Sequence, residues 1–365
     1  MGRRKRIHIF SCLYAAVILF LLSACKTTST GDVVLDDFKG DVKTISPVQT
    51  IPLESFDILM PSDVIKYGDN YVVFKGQGGN FVDIITPSTG RAIHCFKKGR
   101  GPGEIVTASS FQVEGDSLYI YDISMQRYYS LDLREAIAGN NPSPKVRHQF
   151  KASRENGQPL RPFVLYKTGT DFLSTGIFPE DAWYCLADKD YNYLDGVDYL
   201  DYDVIRTFAR NDVKHTFHIS SLFSGNPDGE RFVCAFVSAA AFSLFKREGS
   251  SISEYYRYVA DRDPGAWSPG AEMGNLAIAW KTESIASYYG VCSDKENIYM
   301  LYSGKQRGDT RSASYLCSHL LVYGWDGRPK KRYELEKEVS SIHFEKGKLY
   351  CVTSYPEPEI LVYSL

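Results

Sequence analysis

Short apolar runs bounded by Gly, Asn, Asp, Ser and Pro recur along most of this chain, and they predict its secondary structure. The first group has runs at residues 69–74, 81–85 and 91–96, separated by a Gly-rich segment and by Pro87–Gly90. Runs of this kind, rich in Val, Ile, Tyr and Phe, predict β-strands joined by tight turns. No long stretch has the apolar spacing of an amphipathic helix, so helices should be few and short, with Leu131–Ile137 the best candidate.

This strand–turn–strand signature occurs six times. The copies begin at Asp69, Gly115, Thr170, Glu230, Asn297 and Gly347. Their spacing of about 47 to 66 residues matches the four-stranded blades of a β-propeller better than the period of any solenoid. The sequence therefore predicts an all-β fold, a six-bladed β-propeller over residues 41–365.

The sixth copy stops at Leu365, after its third strand, and leaves the outermost position of its blade open. An unpaired strand edge exposes backbone N–H and C=O groups, and proteins usually cover it. Residues Val42–Val48 form a strand-like segment before the first copy and have no partner of their own. We predict that this N-terminal strand pairs with Ile360–Tyr363 and closes the ring.

The first 24 residues have the pattern of a targeting signal. Arg3–Arg6 is basic, Ile7–Leu22 is apolar, and Leu22-Ser23-Ala24-Cys25 follows. The tetrad resembles a bacterial lipobox, which implies a lipoprotein signal peptide at 1–24 and a thioether-linked diacylglycerol, with a palmitate-type acyl chain, on Cys25. The alternative is a transmembrane helix, but the apolar run is shorter than the roughly 20 residues that span a bilayer.

Residues 25–40 are rich in Thr, Ser, Gly and Asp, which predicts a flexible, lipid-anchored spacer. Under the usual lipoprotein sorting rule, Lys26 in place of Asp after the acylated cysteine implies the outer membrane. No acidic run follows Cys25, and such runs mark surface export in some lineages, so the expected location is the periplasmic face of the cell envelope.

Composition excludes disorder and a nucleic-acid partner. The chain has 365 residues, of which 44% are apolar and 24% charged, enough for a packed core. The net charge is −2, and loss of the signal leaves 38 basic against 44 acidic residues, so the electrostatic footprint of a nucleic-acid-binding protein is missing. We expect a monomer tethered to the membrane through Cys25.

One turn stands out between the first two copies. The segment from Lys97 to Glu104 contains three glycines and Pro102, which predicts a turn of fixed shape. Its backbone N–H groups and basic side chains could cradle an anion such as a carboxylate near the mouth of the central channel. The candidate ligand-binding residues are Lys97, Lys98, Arg100 and Glu104. The alternative is that Arg100 pairs with Glu104 or with a neighbouring blade and only fixes the turn.

The hexapeptide Gly99-Arg100-Gly101-Pro102-Gly103-Glu104, behind a lipobox and inside six blade-like repeats, resembles the six-bladed, TolB-like propeller lipoproteins of Gram-negative anaerobes. The blade pattern covers nearly the whole mature chain. The resemblance implies the fold and the envelope location, and it carries no general reaction. The segment Ser303–Ser318 departs from the pattern as a long, basic and Ser-rich insertion, expected to be a loop on one face.

Metal, cofactor and disulfide signals are weak. His215 and His218 could ligate one zinc ion only on a helix or a turn, and no third ligand is evident, so we predict no metal and no cofactor. Six cysteines lie mostly in apolar strand contexts and are expected to be free thiols, although bridges between adjacent blades stay open: Cys95, Cys185, Cys234, Cys292, Cys317 and Cys351.

Two function classes remain. The first is a binding or scaffold module for a protein, a glycan or another envelope ligand, which aromatic loops at Tyr191–Tyr193, Tyr255–Tyr258 and Tyr288–Tyr289 would suit. The second is a propeller enzyme, lactonase-like or lyase-like, with its active site at the channel mouth. Three or more Asp, Asn, Glu or His side chains within metal reach at the axis would favour the enzyme. A channel lined by apolar, Ser and Lys residues would favour binding. The sequence names no catalytic residue and favours binding.

Overall fold

Six sheets make up most of the protein, and each contains four antiparallel strands. The computed structural model describes residues 32–38, 40, 42–150, 154–155, 158–159, 161–178, 180–208, 210–269, 277–310 and 313–365. In the first five sheets the chain runs from the inner strand to the outer strand, whereas the last sheet takes its outer strand from the N-terminal part of the chain. The inner strands of all six sheets line one cavity. The prediction of an all-β, six-bladed propeller is confirmed.

The first three blades follow one another along the chain. Blade one comprises Pro61–Tyr67, Asn70–Lys75, Asn80–Thr86 and Arg91–Lys97. Blade two comprises Ala108–Glu114, Ser117–Asp122, Arg127–Asp132 and Lys145–Gln149. Blade three comprises Arg161–Thr168, Asp171–Ile177, Tyr184–Ala187 and Tyr193–Val197.

The last three blades complete the ring. Blade four comprises Ser221–Gly225, Arg231–Phe236, Ala241–Glu248 and Ser251–Val259. Blade five comprises Tyr288–Ser293, Asn297–Tyr302, Cys317–Gly324 and Pro329–Val339. Blade six comprises Ser341–Glu345, Lys348–Thr353 and Glu359–Ser364 from the end of the chain, with Gln49–Pro52 as its outer strand.

An N-terminal strand closes the ring at the predicted place, but the segment is different. Gln49–Pro52 pairs antiparallel with the last strand, with Gln49 opposite Val362 and Ile51 opposite Ile360. The predicted segment, Val42–Val48, was wrong by a few residues: its strand, Val42–Ile45, instead pairs parallel with Pro329–Val339 and adds a fifth strand to blade five. Gln49–Pro52 takes the closing position because the side chain of Ile51 is buried there between blades six and one.

Helices are short, as predicted. The best candidate is confirmed as a helix at Leu133–Ile137, where the Asp132 carboxylate accepts a hydrogen bond from the Glu135 N–H and caps the first turn. The other described helices are Val33–Asp36, Asp203–Thr207, Asn211–His218 and the 3₁₀ turn Glu54–Phe56. Two small hairpins, Arg154–Glu155 with Gln158–Pro159 and Ala266–Trp267 with Ala279–Trp280, lie between blades.

The core lies between the blades. Middle strands such as Asn70–Lys75 are buried on both faces, because each sheet is covered by the sheets on either side of it. This double burial explains the continuous apolar runs in the sequence. The six cysteines among the described residues are buried free thiols.

The predicted signal peptide, Cys25 and most of the predicted spacer lie outside the described residues. The described end of the spacer contains the helix Val33–Asp36, and the compact propeller unit begins at Phe38, whose ring packs edge-on against Tyr323 at 5.2 Å. Within the described part of the chain, no helix has the length and apolar character needed to cross a membrane.

Candidate functional site

A central channel lies where the inner strands of the propeller meet. It encloses about 340 Å³ and takes its lining from the inner strands of all six blades. A pocket of this size, at an axis where six blades converge, is where a small ligand can contact several blades at once.

The channel wall is largely apolar with a set of hydroxyl groups. The serines that line it are Ser109, Ser110, Ser221, Ser224, Ser293 and Ser341. Between them stand apolar side chains that include Phe111, Leu165, Phe223 and Phe344. The ionisable carboxyl and imidazole groups in the lining are Asp63 and His343.

Side chains of the lining tie adjacent blades together. Ser110 Oγ accepts a hydrogen bond from the Leu165 N–H at 3.0 Å, and Ser293 Oγ donates to the Gly225 carbonyl at 2.9 Å. Gln112 bonds both backbone groups of Lys167, accepting from N–H at 2.8 Å and donating to C=O at 3.0 Å. The inner strands are therefore fixed in position, and the channel is preformed.

The channel carries little charge. Burial raises the pKa of Asp63 to about 6, against an opposing hydrogen bond from the Val64 N–H at 2.8 Å. Burial lowers the pKa of His343 to about 4, so its imidazole is neutral at pH 7. Ser109 Oγ is buried without a hydrogen-bond partner among the described residues. Such a wall suits a ligand that offers hydroxyl and apolar groups.

The described residues do not bring together three His, Cys, Asp or Glu side chains at metal-binding distance.

The turn from Lys97 to Glu104 folds around its own carboxylate. Glu104 Oε2 accepts the Gly101 N–H at 2.7 Å, and Lys97 Nζ lies 3.4 Å from Oε1. The hydrogen bond from Gly101, helped by Lys97, lowers the pKa of Glu104. A Cβ at Gly99 would overlap this carboxylate, which explains the glycine there. The anion that occupies the cradle is therefore Glu104 itself.

The basic side chains of the turn do not converge on a shared ligand position. Lys98 Nζ donates to the Gly76 carbonyl at 2.8 Å and lies 4.7 Å from the centre of the Phe81 ring. The Arg100 side chain is exposed and makes no ion pair within the described part of the chain. Lys97, and not Arg100, pairs with Glu104.

The turn also lies away from the expected place. It was predicted near the mouth of the central channel, but none of its residues lines that channel. Lys97 and Pro102–Glu104 instead line a peripheral cavity between the outer strand of blade one and Asn141–Pro144 of blade two. The reason is that the turn leaves an outer strand and reaches the inner strand only at Ala108.

His215 and His218 lie on the helix Asn211–His218 and are both buried. Each has a backbone partner: His215 Nε2 lies 3.0 Å from the Glu180 carbonyl, and His218 Nε2 accepts the Leu200 N–H at 3.2 Å. Burial lowers the pKa of both, for His218 to about 3. These imidazoles are packing groups that anchor the helix.

The aromatic loops divide between packing and the channel. Tyr191 and Tyr288 are buried, and the Tyr255 hydroxyl donates to the Trp325 carbonyl at 3.0 Å. Tyr289 lines the channel. In the insertion, Arg307 donates to the Ser238 carbonyl at 3.0 Å and lies 4.8 Å from the Trp280 ring, which ties the loop to blade four.

Comparison with known proteins agrees with this geometry. The sequence profile described as TolB-like 6-blade propeller-like matches residues 49–346, most of the chain. The chain belongs to the TolB-like six-blade propeller family. No curated protein sequence matches it significantly.

Solved structures resemble this TolB-like propeller in fold. A DUF4221 family member from Bacteroides vulgatus superposes with a TM-score of 0.51 at 12% identity, covering 88% of this chain and 97% of that one. A predicted exported protein from Bacteroides fragilis superposes with a TM-score of 0.51 at 10% sequence identity, covering 88% of this chain and 98% of that one. A luciferin-regenerating enzyme superposes with a TM-score of 0.51 at 6% sequence identity, covering 87% of this chain and 95% of that one. At these identities the likeness concerns the fold alone.

Sequence reasoning missed the channel residues of this TolB-like propeller. Asp63 and the serines belong to inner strands, which were not recognised in any of the six copies. A signal was present, since Ser109–Ser110, Ser221–Ser224 and Ser341 each precede a recognised apolar run. It is weak, because the inner strands mix serine with apolar residues and so lack the continuous apolar runs of the middle strands.

Proposed function

We propose that this TolB-like propeller is a lipid-anchored envelope protein that binds a protein, glycan or other envelope ligand through its central channel. It acts as a monomeric binding module and not as an enzyme. The observation that carries the proposal is the channel lining, in which six serines and apolar side chains surround an axis with Asp63 as its main charge.

The lipobox at Leu22–Cys25 supports the anchoring part of the proposal. Thioether-linked lipid on Cys25 would hold the propeller at the outer membrane, on its periplasmic face. The test is metabolic labelling of the full-length protein with an alkyne palmitate, followed by membrane fractionation and proteolysis of intact cells. Cys25→Ala should lose the label and leave the membrane fraction. A labelled Cys25→Ala protein would contradict the anchor, and digestion in intact cells would contradict the periplasmic face.

The binding part is tested by crosslinked pull-down of the tethered protein from intact cells. Ser109→Phe should fill the channel without removing a hydrogen bond, because the Ser109 hydroxyl has no partner among the described residues. Ser253→Phe is the matched control, since Ser253 is exposed on the outer strand of blade four. A partner lost with Ser109→Phe and kept with Ser253→Phe supports the proposal. No partner, together with hydrolytic activity of the purified protein, would favour a lactonase-like enzyme.

A further inference from the structure

A second cavity lies between blades two and three, and it shares no residue with the central channel. It encloses about 550 Å³. Its lining is aromatic and basic and consists of Tyr119, Tyr128, Arg147, His148, Lys167, Thr170, Phe172, Lys189 and Asp190. We call it the blade 2–3 cleft.

Three rings form a rigid wall of the blade 2–3 cleft. Tyr119 and Tyr128 are stacked, with ring centres 5.5 Å apart and planes inclined by 7°. Phe172 meets Tyr128 edge-on at 5.1 Å and 82°. Because each ring is held by the next, this wall is fixed before any ligand arrives.

The Tyr128 hydroxyl is an unsatisfied group in this wall. The side chain is only 4% exposed, and the hydroxyl has no hydrogen-bond partner among the described residues. Burial raises the pKa of Tyr128, so the hydroxyl stays protonated and can donate. A buried hydroxyl without a partner is costly, and an acceptor bound in the cleft would remove that cost.

The lining contains three cations, and two of them have acidic partners. Arg147 donates from Nε to Ser130 Oγ at 2.6 Å and has no acidic partner within the described part of the chain. Lys167 pairs with Glu114, and Lys189 pairs with Asp190. Burial lowers the pKa of His148, which leaves it neutral at pH 7. Arg147 is therefore the cation of the cleft that has no acidic partner in the described part of the chain and can receive an anion.

We propose that the blade 2–3 cleft binds the carboxylate of an acidic saccharide such as a uronic acid. The guanidinium of Arg147 matches a carboxylate with two parallel hydrogen bonds. The Tyr128 hydroxyl donates to a second oxygen, and the ring wall packs against the apolar face of the sugar. The enclosed volume falls in the range of small-ligand pockets, which favours a saccharide over an extended acidic peptide.

The test titrates the full-length protein in detergent with glucuronic acid, with glucose as the neutral match, by calorimetry at low salt. Glucuronic acid should bind at least about tenfold more tightly than glucose, because the charged hydrogen bonds are lost with glucose. Arg147→Gln should weaken glucuronic acid binding about tenfold, and Tyr128→Phe by a smaller factor. Arg328→Gln, which removes an exposed charge in blade five, should change nothing.

Three results would overturn the proposal. They are equal binding of glucose and glucuronic acid, unchanged affinity in Arg147→Gln with native circular dichroism, and binding of an oligoglutamate peptide without binding of glucuronic acid. Inorganic phosphate that binds more tightly than glucuronic acid would replace the saccharide by a phosphate ligand. Ser109→Phe should leave this affinity intact, so the channel proposal and this one fail separately.

Discussion

Replacing Ile51 by Ala tests the seam that closes the propeller. Ile51 lies on the N-terminal strand Gln49–Pro52, is 4% exposed, and packs in one cluster with side chains of blades six and one. Truncating a buried Ile to Ala costs about 2 to 5 kcal/mol, through lost burial and the cavity that remains. We take about 3 kcal/mol, because a strand at the outer edge can relax partly into the cavity.

The size of the domain converts this loss into a melting shift. Unfolding entropy near 60 °C is about 2 cal/mol/K per residue, so a unit that runs from Phe38 to Leu365 should lose about 4 °C in Tm. The assay is urea denaturation followed by tyrosine and tryptophan fluorescence, with calorimetry for Tm. Thr50→Ala on the same strand is the control, because Thr50 is exposed and its loss should cost no more than about 0.5 kcal/mol.

The reasoning would be refuted if Ile51→Ala and Thr50→Ala were equally mild. That result would mean that the N-terminal strand pairs with blade six without contributing to the stability of the propeller. A loss much above 5 kcal/mol would point to opening of the whole seam and not to a local cavity.

Three further predictions concern pH and the glycine turn. Because burial raises the pKa of Asp63 from 3.8 to about 6, the stability that goes with its protonated form is lost as the pH rises through 6. Asp63→Asn should therefore stabilise the fold by up to about 3 kcal/mol at pH 8 and by much less at pH 4. Equal shifts of the urea unfolding midpoint at pH 8 and pH 4 would contradict this. Burial lowers the pKa of His218 to about 3. The stability that comes with its neutral imidazole is therefore fully present above about pH 6.5 and is lost as the pH falls toward 3. NMR should show its imidazole still neutral at pH 5, and a midpoint above 5 would show that it is not buried. Gly99→Ala and Glu104→Ala should each destabilise the turn, and the double variant should cost less than their sum, since both break the contact of Glu104 with Gly101. Additive costs would show that the turn does not close on Glu104.

The repeat pattern was readable because middle strands are buried on both faces. Runs such as Tyr71–Phe74 carry continuous apolar residues, and this local signal repeats once per blade. The helix at Leu133–Ile137 was equally local, because Asp132 caps it within its own segment. The blade count and the middle strands of each blade of the TolB-like fold therefore followed from short-range pattern, whereas the inner strands did not.

The closing segment was harder to choose, because both Val42–Ile45 and Gln49–Pro52 have strand character. Val42 and Val48 are exposed, whereas Ile51 is buried, and burial of that one side chain selects the register. A sequence pattern does not contain the facing surface of blade one, so it could not rank the two segments.

The candidate sites depended on the ring even more. The glycine turn had a predictable shape, but its peripheral position and its capture of Glu104 follow from where the outer strand of blade one ends. The channel unites Asp63 with Ser109 and Ser341, and the blade 2–3 cleft unites Tyr128 with Lys167. These residues are far apart in sequence and meet only when sheets pack side by side. By itself the sequence determined where the middle strands of each blade lie, because strand formation is local. Only the tertiary structure decided which side chains face one another, because that depends on contacts between blades.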